Sequence, residues 1–223
     1  MPIEIKIFSD YIWPFCYVGK GIVEKLKQTY DINETWIGYE LHPETPPEGV
    51  LLSERFKGYD VSRMFDSLRL RGKEFGIVFA DRTILSNSRL SLEASEYACD
   101  MGKYEHFHDR VFHAYFTEAL DIGNAKILCD IATGCGLDAS DMMHALNDGC
   151  YKLRLDEAKK ECLKIQLTGV PTYIINDTHK IVGAQPEKVF TDILDKIAKT
   201  NTWNWILDLL LRSLLQLIAT ASK

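Results

Sequence analysis

The order in which strand and helix periodicity appear along this chain limits its fold more than any other feature. Ile3, Ile5 and Ile7 alternate with Glu4, Lys6 and Phe8, the two-residue period of a strand. Val18, Ile22 and Leu26 then recur every four residues, which predicts a helix from Pro14 to about Tyr30 with a narrow buried stripe. Gly19 and Gly21 lower the intrinsic propensity of that helix, so packing must hold it. Thr35 to Leu41 reads as a second strand. A β-α-β unit of this kind requires a parallel pair joined by a right-handed crossover.

His42 ends the unit, and Pro43, Pro46 and Pro47 make a rigid loop after it. Helical periodicity follows from Val61 to Phe75, then an extended piece from Ile77 to Thr83. Ser86 or Asn87 can cap a helix running to Met101. Further helices are predicted over Lys103–Leu120, Asn124–Gly134, Ala139–Asn147 and Tyr151–Leu167. Strand signal returns at Pro171–Asn176 and Lys180–Gly183, and a last helix, Pro186 to Lys199, carries Val189, Phe190, Ile193, Leu194 and Ile197. The fold class is therefore α/β, in the order of a thioredoxin fold (β-α-β … β-β-α) with a large all-helical insertion. Its N-terminal half spans 1–45, the insertion 46–167 and the C-terminal half 168–200.

Residues 201–223 stand apart. Asn204, Asp208, Arg212, Gln216 and Thr220 recur every four residues among Leu, Ile and Trp, the pattern of an amphipathic helix with a very wide apolar face. It is too short and too charged to be read as a membrane span. It reads as a helix docked on its own chain, as the seam of a homodimer, or as a helix lying on a membrane surface.

Composition narrows the function. With 223 residues, 46% of them hydrophobic, the chain can bury a real core. A formal net charge of −6 and the lack of a dense Lys/Arg run argue against a nucleic-acid partner. The N-terminus alternates from its first residues and lacks the apolar block of a signal peptide, so a cytoplasmic setting is the expectation. Six cysteines without a close pair read as free thiols in a reducing compartment, and no tight Cys/His pairs suggest a zinc site.

The chemistry-bearing stretch is Ser9-Asp10-Tyr11-Ile12-Trp13-Pro14-Phe15-Cys16, where the first strand runs into the first helix. It has the spacing of a C-x-x-C pair with Trp13 in the leading place. In such a pair the outer cysteine sits on the positive helix end, which favours its thiolate. Pro14 suits the first helical turn, but Trp13 offers no short acceptor to the orphan N–H groups. Read alone, the stretch is equally an aromatic-rich turn with one buried cysteine.

This stretch and Thr168-Gly169-Val170-Pro171-Thr172-Tyr173 together resemble the DsbA-like thioredoxin family, specifically its cytoplasmic FrnE-type branch. Y-E-L-H-P-E-T-P-P-E-G-V (39–50), H-A-Y-F-T-E-A-L-D-I-G (113–123) and G-A-Q-P (183–186) extend the resemblance to about Lys199. The branch is similar to enzymes that exchange thiols and disulfides through C-P-x-C. It is also related to kappa-class glutathione transferases and 2-hydroxychromene-2-carboxylate isomerases, which carry serine in the leading place. The resemblance implies a cis Val170-Pro171 bond beside the start of the first helix, where an extended substrate could add strand-like hydrogen bonds. It implies a catalytic role for Cys16, in the resolving position, and substrate contacts from Trp13, Pro14, Phe15, Val170, Pro171 and Gln185. The partner implied is a thiol- or disulfide-containing substrate, glutathione or a peptide, with no bound cofactor unless glutathione serves as co-substrate.

Trp13 departs from the family pattern, because exchange needs thiolate attack followed by release through the second thiol. Dithiol oxidoreductase activity is therefore expected to be weak or lost. Three functions follow: a one-thiol enzyme running on Cys16, a glutathione-dependent transferase or isomerase using the hydroxyl of Ser9, Tyr11 or Tyr17, and a non-catalytic peptide-binding module. A Cys16 thiolate near neutral pH would favour chemistry, and an inert thiol would favour binding. His106, His108 and His113 share one helix, His106 and His113 on one face, and without a third metal ligand they read as surface or half-buried histidines. His42 and Asn87 are explained by loop hydrogen bonding and capping.

Overall fold

The computed structural model describes residues 2–200. The amphipathic helix expected over 201–223, and with it the dimer seam, lies outside the described residues. The chain runs β1 (Ile3–Ser9), α1 (Pro14–Lys27), β2 (Ile32–Gly38), β3 (Val50–Leu51), α2 (Leu52–Arg55), α3 (Val61–Gly72), β4 (Ile84–Leu85), α4 (Arg89–Asp100), α5 (Tyr104–Phe116), α6 (Ala125–Gly134), α7 (Ala139–Asn147), α8 (Cys150–Lys164), β5 (Thr172–Ile175) and β6 (His179–Val182). Residues 187–200 form a last helix, α9. Seven helices thus lie between the β-α-β and β-β-α halves.

The four long-range strands make one sheet in the order β2-β1-β5-β6. β1 pairs parallel with β2 and antiparallel with β5, and β5 with β6 is antiparallel. Ile5 and Ile7 of β1 stand opposite Ile175 and Tyr173 of β5, so their buried side chains share one face of the sheet. Tyr173 meets Phe190 of α9 edge-on at 4.9 Å between ring centres, and α1 packs on the same face. On the other face Lys180 Nζ donates to Ile165 O and Gln166 O, tying β6 to the end of α8.

Several boundaries differ from the sequence reading. The second strand lies at Ile32–Gly38 rather than Thr35–Leu41, because the parallel register pairs Ile3 with Ile32 and Ser9 with Gly38. The apolar letters Trp36 and Ile37 drew the sequence-based strand toward its C-terminal end. Residues 77–83 are extended but belong to no ladder, and the short pairing falls on β3 with β4. Helix α5 stops at Phe116, four residues before Leu120. Helix α4 starts after Ser88, whose side chain makes no cap bond, while Asn87 Oδ1 accepts from Arg89 N at 2.8 Å.

The two glycines of α1 have a structural reason. A Cβ at Gly19 would sit 2.2 Å from Tyr173 Oη and 3.1 Å from the Pro171 ring. A Cβ at Gly21 would sit 2.6 Å from Phe75 Cβ. Their absent side chains let α1 approach β5 on one side and the insertion on the other, which offsets the propensity they cost. Gly19→Ala is therefore expected to destabilise the chain by about 1–3 kcal/mol. Gly134→Ala, at the end of α6 with nothing within 4 Å of the added methyl, should change stability by less than about 1 kcal/mol. Urea midpoints of the two variants check this, and equal midpoints would contradict the packing argument.

Candidate active site at the start of the first helix

β1 ends at Ser9, and Trp13 N donates to Asp10 O at 3.2 Å to turn the chain into α1. Trp13 is the N-cap residue with extended dihedrals and no side-chain cap bond, and Pro14 occupies the first helical position. Cys16 N donates to Trp13 O at 2.9 Å, so Cys16 lies within the first turn and is fully buried. Pro14 is buried, whereas Trp13 and Phe15 are half-buried with ring centres 5.8 Å apart. Beside Trp13 a cavity of only about 20 Å³ is walled by Leu52, Phe56, Met64 and Phe65 of the insertion. The indole thus leans on the insertion and leaves no room there for a ligand.

The Val170–Pro171 edge arrives from the other half of the fold. The Val170–Pro171 peptide bond is cis. Pro171 rests against Gly19, one helical turn beyond Cys16, and Val170 is buried. Gly183 N donates to Pro171 O at 2.7 Å, which hangs the loop before α9 on this edge. Gln185 sits in that loop, exposed, with its Nε2 donating to Val182 O at 2.8 Å. Its amide is therefore committed to its own loop and not turned toward Cys16. Arg71 of α3 donates to Ala184 O and binds the loop to the insertion.

Two groups missed in the sequence control the electrostatics. The Asp10 side chain is fully buried, with Oδ2 accepting from Leu41 N at 2.6 Å and Oδ1 from Ile12 N at 3.3 Å. Burial pushes its carboxyl up to about 7, despite these bonds and the Ser88 hydroxyl. Burial likewise pushes the Cys16 thiol up to about 12, against the pull of the Ser9 hydroxyl and the Asp10 backbone, and the Asp10 charge adds to the rise. At pH 7 only about one thiol in 10⁵ is then ionised. All six cysteines are free, so Cys16 has no disulfide partner.

The second missed group is His108. Tyr11 Oη lies 2.6 Å from Ser95 Oγ and 2.8 Å from His108 Nδ1. Ser95 Oγ also lies 2.9 Å from Ser91 O and Tyr104 Oη 3.2 Å from His108 Nδ1, so the four side chains form one buried hydrogen-bonded cluster. The cluster locks the β1–α1 turn to α4 and α5. It also leaves His108 Nε2 buried without a partner, on a ring whose proton affinity burial holds well below the usual histidine range. A signal for both groups was present in the sequence. Asp10 stands in an otherwise apolar turn, and His108 falls at i−3 and i−4 from Val111 and Phe112 on the buried stripe. His42, by contrast, bonds Glu44 and Arg55 within its loop, and His113 faces Glu118.

The profile of the DSBA-like thioredoxin domain matches residues 4–195. The uncharacterized protein YwbO of Bacillus subtilis (strain 168) is 31% identical over 193 residues, which cover 85% of this chain and 94% of that one. Among solved structures, a probable DsbA oxidoreductase from Streptomyces coelicolor superposes with a TM-score of 0.78 at 25% identity, over 87% of this chain and 89% of that one. A 2-hydroxychromene-2-carboxylate isomerase superposes with a TM-score of 0.72 at 17% identity, over 89% and 98%. This second likeness is one of fold.

The raised Asp10 carboxyl makes a stability prediction. Between its ordinary value of 3.8 and about 7, the folded chain keeps a proton that the unfolded chain releases. Stability from this group is complete below pH 4 and lost as pH rises through 7, by about 4 kcal/mol at ~1.4 kcal/mol per pH unit. Asp10→Asn should remove that slope, so urea midpoints of wild type and variant should converge or cross as pH rises from 4 to 8. Parallel profiles would show that Asp10 is not the titrating group.

Proposed function

We propose, on the premise that this chain belongs to the DSBA-like thioredoxin domain family, that it is a FrnE-type member which recognises thiol- or disulfide-containing peptides without carrying out dithiol exchange. The observation that carries this reading is the state of Cys16: a sole sulfur, fully buried, with its thiol pushed up to about 12, under a turn whose leading position is Trp13. Exchange needs an exposed thiolate to attack and a second thiol to resolve the mixed disulfide. Position 13 supplies no sulfur, and Cys16 supplies no thiolate at neutral pH. The one-thiol route with glutathione is disfavoured on the same ground, since it too starts from an accessible thiolate.

What remains useful is the edge. Val170 and Pro171 open β5 beside α1, and an extended peptide laid there could add strand-like hydrogen bonds to the main chain of Val170, Pro171 O being taken by Gly183 N. Trp13 and Phe15, both half-buried, would flank its side chains with apolar surface. Gln185 is at most a peripheral contact in this reading, because its amide is already bonded to Val182 O. Six free cysteines fit a reducing compartment, and the proposed setting is the cytoplasm.

Thiol-coupled reduction of a disulfide substrate tests the reading. Wild type should turn over at about the uncatalysed rate, and Trp13→Cys should raise turnover by about 10²-fold or more by restoring the outer nucleophile. Cys16→Ser should leave wild-type peptide binding within about twofold. Wild-type turnover that Cys16→Ser abolishes would overturn the proposal.

A further inference from the structure

The largest cavity described, about 700 Å³, lies away from Cys16, along the outer edge of β2. β2 ends the sheet, so one side of its backbone faces no strand. Two bonds fix which residues look outward: Ile3 N donates to Asp31 O and Tyr39 N to Ser9 O. In a parallel ladder with this register, the odd-numbered residues of β2 bond to β1. The main-chain N–H and C=O of Ile32, Glu34 and Trp36 therefore point into the cavity, and among the described residues none has a protein partner there.

The cavity is a groove rather than an open edge. Helices α1 and α5 stand on one side of β2, through Lys20, Lys27 and Tyr104, and α8 stands on the other through Arg154 and Ala158. At the far end Leu92 and Leu155 close over Gly38. Two further observations indicate what enters. The ring of His108, only 4% exposed, backs the groove, with its Nε2 buried and without a partner. The lining also carries seven carboxylates against three cationic side chains, with His108 neutral. Glu24, Glu34 and Glu105 crowd within 4.8 Å, and Lys27 reaches all three at 3.3–3.5 Å.

We propose that the outer edge of β2 is a second binding site, independent of the Cys16 region, which takes a short extended peptide with basic side chains as an added strand. Main-chain pairing to Ile32, Glu34 and Trp36 supplies affinity, and alternate side chains of the guest point toward the α1–α5 wall. There a lysine or arginine meets the carboxylates around Lys27, beside the indole of Trp36. The excess of acid also repels a second copy of the same groove.

A blocked Lys-Val-Lys-Val-Lys peptide tests this by calorimetry and by amide NMR shifts on the intact protein. Binding should shift the amides of Ile32, Glu34 and Trp36. Affinity should fall about tenfold or more when the paired peptide nitrogens are methylated, and as much for Glu-Val-Glu-Val-Glu. Glu105→Lys, at an exposed side chain, should weaken the basic peptide several-fold without shifting the thermal midpoint. Indifference to N-methylation would overturn strand addition. So would shifts confined to Trp13–Cys16, self-association through β2, or equal shifts from calcium or magnesium alone.

Discussion

Everything at the start of the first helix depends on how closely α1 approaches β5. Gly19 has no side chain, so the helix backbone comes against the Pro171 ring and the Tyr173 hydroxyl. That contact brings the two ends of the sequence together across an insertion of seven helices. It buries Cys16 completely and sets the Val170–Pro171 edge one turn away from it. A larger residue at 19 would separate the helix from the strand and open the region on which the functional reading rests.

The same closeness underlies the proposal that this member does not carry out dithiol exchange. A thiol at the outer position of such a helix faces solvent and the positive helix end, whereas one at the inner position faces the core. This chain keeps only the inner sulfur. Burial then dominates every other influence on Cys16, and the buried Asp10 carboxyl beside it acts in the same direction. The Tyr11–Ser95–His108 chain fixes the turn from the insertion side. Among these parts the W-P-F-C turn carries one sulfur, and that sulfur is buried.

Much of this was legible in the sequence where local periodicity and tertiary packing agree. Helix α7 falls on Ala139–Asn147 as read, and α6 at Ala125–Gly134 starts one residue inside the Asn124–Gly134 read, with Asn124 as its cap. Asn124 Oδ1 does accept from Lys126 N. Reading failed where non-local pairing decided. The register with β1 set the bounds of β2, and Ile32, Asn33 and Glu34 alone carry little strand signal. The edge proline and the W-P-F-C turn were identifiable as motifs, whereas Asp10 and His108 carried only a positional signal, a charge in an apolar turn and a histidine on a buried stripe, to which burial gives its weight. A lone aspartate or histidine reads as surface until packing shows otherwise. The groove on β2 could not be read at all, since its walls come from α1, α5 and α8, which are far apart in the chain.

The two surfaces divide the fold. One lies where the halves of the sheet meet at Pro171, and the other at the free edge of β2 beneath the insertion. The account stands or falls on whether Cys16 is sealed and un-ionised in the native chain. Its alkylation, followed residue by residue by mass spectrometry across pH, measures this against the exposed Cys99 and Cys150. At neutral pH the account predicts that both exposed cysteines label while Cys16 stays unmodified until the chain unfolds. Labelling of Cys16 at neutral pH as fast as the exposed pair would contradict it.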